Sequence, residues 1–89
     1  MIQFIFTKSA KKTFQKLPAA IRDRIITKLK ELKNHSDIFS TLKKLHHFSP
    51  ATHRLRIGDY RIILELQDYT DTHTTFLILD LGSRKDIYN

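Results

Sequence analysis

The chain has 89 residues, no cysteine, and sixteen Lys and Arg against nine Asp and Glu, a formal charge of +7. That length supplies one modest hydrophobic core, so residues 1–89 are read as a single domain; without cysteine, disulfides, thiolate metal sites and thiol nucleophiles are excluded, and a reducing cytoplasm is the natural setting. The positive balance makes nucleic acid the first partner to consider, although an acidic protein or an anionic membrane surface would satisfy the same charge.

In chain order, Ile2, Phe4 and Phe6 alternate with Gln3 and Ile5, which predicts a strand with one buried face. Thr7 or Ser9 can then cap a short helix in which Ala10, Phe14 and Leu17 share a face, with Lys8, Lys11, Lys12, Gln15 and Lys16 outside it. Pro18 ends that helix and can begin the next. From Pro18 to Asn34 the stripe Ile21, Ile25, Leu29, Leu32 predicts a longer amphipathic helix, the second arm of a helical hairpin. The polar break at residues 34–37 leads into an irregular connection anchored by Leu42 and Leu45 and carrying Lys43, Lys44, His46 and His47. Leu55 and Ile57 alternate with arginines up to a two-residue Gly58-Asp59 turn, and a second β-rich run follows from Tyr60: a β-hairpin. Residues 67–73 read as a polar turn, Thr74 to Leu81 as a buried strand, and Gly82 as its terminator.

The order β-α-α-β-β-β gives an α+β fold, with a helical hairpin packed on one side of a twisted antiparallel sheet and the opposite side or an edge available for binding. The apolar runs are too short to span a bilayer and no signal-peptide core follows Met1, so a soluble cytoplasmic protein without a membrane partner is expected.

The chemistry-bearing residues cluster in two places. Arg54 and Arg56 project from one strand face, opposite Leu55 and Ile57, and Arg61 lies just across the turn. Guanidinium groups fork onto phosphate oxygens and keep their charge at every relevant pH. The same residues would equally form a solvated face with surface ion pairs to Asp59 and Glu65, and the pattern alone leaves both readings open. Near the terminus, Arg84 and Tyr88 stand four residues apart, where a tyrosine beside arginine could exchange a proton with a substrate hydroxyl; the plainer alternative is a ring packed at the domain edge. His46, His47 and His53 have no metal-site spacing, and His53 faces with Leu55, which favours a structural histidine. No Gly-rich phosphate loop and no Gly-x-Ser-x-Gly elbow is present, which disfavours ATP-dependent and serine-hydrolase chemistry.

These residues in this order resemble the RelE/ParE toxin superfamily of bacterial toxin–antitoxin systems, and its RelE-like messenger-RNA interferase branch in particular. The likeness rests on Ala10-Lys11-Lys12 and Lys16-Leu17-Pro18 in the helices, on His53-Arg54-Leu55-Arg56-Ile57-Gly58-Asp59-Tyr60-Arg61 in the hairpin, and on Gly82-Ser83-Arg84-Lys85-Asp86-Ile87-Tyr88 at the end. It implies a toxin that cuts messenger RNA in the ribosomal A site, through attack of the RNA's own 2′-hydroxyl on the adjacent phosphate, without metal or cofactor. By the same resemblance Arg61 and Arg84 would hold the scissile phosphate and Tyr88 would assist proton transfer. Arg54, Arg56, Lys43, Lys44 and His53 would contact RNA, and a cognate antitoxin would wrap the basic surface with an acidic or amphipathic segment. Two departures stand out: Ser83 occupies a position where many relatives carry His or Lys, and Thr52 and Arg54 stand where some carry lysines. ParE-like relatives inhibit DNA gyrase instead, and a non-catalytic basic module is the third alternative.

Overall fold

The structure is a computed structural model that describes residues 1–83. Its elements are β1 (Ile2–Phe6), α1 (Lys8–Gln15), α2 (Ala19–Lys33), a 3-10 turn (Ile38–Thr41), β2 (Lys43–Lys44), β3 (His53–Ile57), β4 (Tyr60–Tyr69) and β5 (Thr74–Ser83).

Thr7 sets how α1 meets the sheet. Its Oγ1 accepts from the Ala10 N–H at 3.1 Å, which caps the helix. The same hydroxyl donates to the Ile78 carbonyl at 2.9 Å, and the Thr7 N–H donates to that carbonyl at 3.1 Å. One residue therefore starts the helix and ties its start to β5. Ala10 is fully buried beneath α1, and Phe14 packs on Phe6 with ring centroids 5.1 Å apart. Pro18 opens α2, its carbonyl accepting from Ile21 and Arg22. The α2 stripe buries Ile25, Leu29 and Leu32 against Leu55, Ile62, Leu64, Phe76 and Ile78 of the sheet. Apolar area removed from water is worth about 25 cal/mol per Å², so this shared core is the main force holding helices to sheet.

The sheet runs β1-β5-β4-β3-β2. The antiparallel pairing expected from the sequence holds from β2 to β5, and β1 joins alongside β5 in parallel, Ile2 opposite Thr74 and Phe6 opposite Ile78. The helices and the connection after them separate β1 from the strand meander, so no tight turn dictates its direction; stacking of Phe4 on Phe76 at 5.7 Å helps fix its register.

Three boundaries differ from expectation. Residues 67–69 belong to β4 rather than to a turn, because Tyr69 pairs with Thr74 and its ring meets Phe39 edge-on at 5.1 Å. The turn proper is short, with the Thr70 N–H donating to the His73 carbonyl at 2.8 Å. Gly82 does not end β5: it is buried in the ladder opposite Arg61, and the strand continues to Ser83. In the connection, Lys43 and Lys44 form a two-residue edge strand on β3, and the Leu45 N–H donates to the Thr52 carbonyl at 2.9 Å.

Candidate functional site: a basic row on the open sheet face

Side chains alternate across a strand, so the burial of Leu55, Ile57, Ile62 and Leu64 beneath the helices puts Arg54, Arg56, Arg61 and Ile63 on the far face. Cross-strand register aligns them. Lys43 stands opposite Arg54, Arg54 opposite Ile63, and Arg56 directly opposite Arg61. Four cations from β2, β3 and β4 thus form one row. Directly opposed side chains have Cβ atoms about 5 Å apart, and like charges so placed disfavour pairing.

The hairpin turn presents this row. Ile57 pairs with Tyr60 across two residues, and of those two only Gly58 has positive φ, +59°, the arrangement of a II′ turn with glycine first. Arg56 Nε donates to the Gly58 carbonyl at 3.4 Å, which holds that guanidinium near the turn. The three arginines differ in access: Arg56 is exposed, Arg54 half-buried, and Arg61 only 5% exposed. Arg61 sits at the floor of the row and Arg56 at its rim. Gly82, opposite Arg61, places no side chain beside it.

Next to the row, Ile63, Leu77 and Leu79 are half-buried and Ile5 is exposed, giving the far face an apolar strip interrupted by two carboxylates, Asp80 opposite Ile63 and Glu65 opposite Leu77. Ile5 and Leu77 are paired across β1 and β5. Sequence reasoning missed this strip. Its signal is the unbroken apolar run of residues 76–79, which belongs to a strand apolar on both faces.

Not every expected residue joins the row. Lys44 and His53 are paired with each other, one residue out of phase with Lys43 and Arg54, and so lie on the helix side. His53 is 7% exposed, with Phe39 and Phe76 ring centroids 5.5 and 5.7 Å away, and its Nδ1 is 2.8 Å from Thr52 Oγ1. Burial, and secondarily the Lys44 charge, hold its pKa below the usual 6.5. This is a neutral packing histidine, away from any ligand on the far face. Thr52 is equally committed: its Oγ1 also accepts from the Leu66 N–H at 2.7 Å. Ser83 pairs with Tyr60 at the end of β5. Arg84 and Tyr88 lie outside the described residues.

Fold and site together define a class: a small basic α+β domain with arginines and half-buried apolar side chains on the sheet face opposite its helices. Within that class, the profile of the family described as ParE toxin of type II toxin–antitoxin system matches residues 4–88, and the chain belongs to this family, within the RelE/ParE superfamily. Comparison with curated proteins returns no match. Among solved structures, the RelB–RelE antitoxin–toxin complex from Methanococcus jannaschii is 28% identical over 94% of each chain, with a TM-score of 0.69. The RelBE2 toxin–antitoxin complex from Mycobacterium tuberculosis is 26% identical over 92% of this chain and 96% of that one, also with a TM-score of 0.69. The intact E. coli RelBE complex shares the fold at 20% identity, covering 90% of this chain and 93% of that one, with a TM-score of 0.64. Among the described residues no helix is long and apolar enough to cross a membrane.

Proposed function

We propose that this toxin is a ribosome-dependent endoribonuclease that cuts messenger RNA in the ribosomal A site and so inhibits translation. The observation that carries the reading is the row Lys43, Arg54, Arg56 and Arg61 on an open sheet face beside an apolar strip. Guanidinium forks suit phosphate oxygens, and the strip offers apolar surface to the bases of a splayed strand.

In the reaction, the RNA 2′-hydroxyl loses its proton and attacks the adjacent phosphorus; the P–O5′ bond breaks, and the leaving 5′-oxygen gains a proton. The added charge falls on the non-bridging phosphate oxygens. Arg56, at the rim, is placed to take them, while Arg61 beneath it adds a permanent positive field in a partly water-free setting, where such a field is stronger. The burial of Arg61 thus modifies the role implied by resemblance: it acts as the charged floor, and contact falls to Arg56 and Arg84. Arg54 and Lys43 position the backbone on either side. Tyr88 moves the proton, a task that Ser83 is poorly suited to share because an alkyl hydroxyl is a far weaker acid than a phenol. The partner that restrains the toxin is an antitoxin, as in the RelB complexes of its structural relatives, and an amphipathic acidic segment would match both the basic row and the apolar strip.

The test is induced expression of the wild type beside an Arg61→Ala, Arg84→Ala double variant, with messenger-RNA ends mapped. New ends within reading frames, absent in the variant, are expected. Toxicity without new ends rejects the nuclease. The family description names ParE, and the resemblance to ParE-like relatives supports one second reading, inhibition of DNA gyrase; gyrase-dependent DNA breaks in the same cells would establish it instead.

A further inference from the structure

The exposed side of α1 and its C-cap carries Lys8, Lys12 and Lys16 at every fourth position, with Lys11 beside them. At 1.5 Å rise per residue this is a slanting ridge that climbs about 12 Å along the helix. Lys8, Lys12 and Lys16 border a shallow groove whose remaining lining is Ser9 and Thr13. α1 has no acidic residue, whereas the longer α2 intersperses Asp23 and Glu31 among its cations. Local physics works against the ridge. Like charges four apart disfavour a helix, and cations in the first turn oppose the macrodipole.

An external anion resolves the conflict, and the character of the surface says which kind. Between the lysines stand Ser9, Thr13 and Gln15, with no exposed apolar residue in α1. Protein interfaces are depleted in lysine and centre on apolar or aromatic anchors, which this surface lacks. Contacts to a phosphate backbone need only point charges and hydroxyl groups, and these it has. Position adds a second constraint. α1 packs over β5 and β1 on the helix side, while the arginine row is on the far side of the sheet, in a molecule 23 Å through its thinnest dimension. The ridge and the row therefore present separate surfaces, on opposite faces of the sheet.

We propose that the α1 ridge docks the toxin onto the phosphate backbone of a large folded RNA that encloses the domain, separately from the strand held for cleavage. This rests on the ribosome-directed reading above and assigns a surface to it. The test uses the full-length protein and its Lys8→Gln, Lys12→Gln, Lys16→Gln variant, with ribosomes and, separately, a single-stranded RNA oligonucleotide as probes over a range of salt. The variant should lose about tenfold or more in ribosome affinity at physiological salt, and its log–log salt slope should be shallower by about two, since each phosphate contact contributes roughly 0.7–0.9. Cleavage at saturating toxin and binding to the oligonucleotide should stay as in the wild type, and the melting temperature should hold or rise. Wild-type ribosome affinity and slope in the variant overturn the ridge. So does loss of antitoxin binding with ribosome binding intact, which would make α1 a protein-binding surface, or a wild type that does not bind ribosomes. A wild type that binds ribosomes through α1 yet cuts no RNA sinks the nuclease reading and leaves the ridge standing.

Discussion

Arg56 and Arg61 face each other with the same charge, one at the surface and one almost wholly covered, so their truncations should behave differently. Arg56→Ala removes an exposed cation from a repulsive pair, and the melting temperature should not fall. If that guanidinium donates to the scissile phosphate, kcat/KM for messenger-RNA cleavage should drop roughly 10- to 100-fold, because hydrogen bonds to charged groups are worth about 1.5–3 kcal/mol. Single-turnover cleavage and thermal unfolding read the two effects, and unchanged cleavage would remove Arg56 from the site. His53 gives a prediction in pH. Its folded pKa lies below 6.5, so the unfolded chain binds the proton more readily and stability rises with pH through this window. The contribution of the neutral ring is complete above 6.5 and is lost as pH falls towards the lowered folded value. Denaturant midpoints should decline on acidification from 6.5 in the wild type and more gently in His53→Gln. Parallel profiles would show that other groups carry the acid sensitivity.

At the scale of elements, the hairpin turn is where backbone conformation matters most. Gly58 has φ +59°, and a Cβ there would meet the Arg24 guanidinium at 2.8 Å. The second obstacle is the far end of a flexible side chain and can swing away; the first cannot, since a left-handed backbone costs a non-glycine residue about 1–2 kcal/mol. Gly58→Ala should therefore lower stability by about that amount, Gly58→Asn by less, and Arg24→Ala should fail to rescue Gly58→Ala in urea titrations. Full rescue would shift the cause to the clash. This turn was legible in the sequence because two-residue Gly-Asp loops between alternating strands have few other solutions. Both helices were legible for a similar reason, since Ala10-Phe14-Leu17 and Ile21-Ile25-Leu29-Leu32 fit only the helical period. The parallel partner of β1 was not, because a strand followed by two helices carries no local record of its neighbour. Nor was the division of Lys43 from Lys44: adjacent residues always face apart, and which one joins Arg54 depends on the long-range register with β3. The site was thus readable within β3, where Leu55 and Ile57 orient the arginines, and unreadable where distant strands set the facing.

For the whole molecule, charge is the property that binding and stability share. With a formal charge of +7, cations on both sides of the sheet repel across a body measuring 36 × 29 × 23 Å. The Debye length is about 30 Å at 0.01 M salt and about 8 Å at 0.15 M. At the lower salt nearly every charge feels every other; at the higher, only neighbours interact. The opposed Arg56–Arg61 pair and the α1 lysines are neighbours, so part of the repulsion survives at physiological ionic strength. Moving from 0.01 to 0.15 M sodium chloride should therefore raise the melting temperature of the free toxin. About 1 kcal/mol of relieved self-repulsion corresponds to roughly 4–8 °C in a domain of this size. The lysine-to-glutamine variant of α1 should start from a higher melting temperature at low salt and gain less from the same change. A melting temperature that falls with salt would mean attractive pairs outweigh the repulsion, and the basic surfaces would then be stabilised within the fold rather than held ready for an anionic partner.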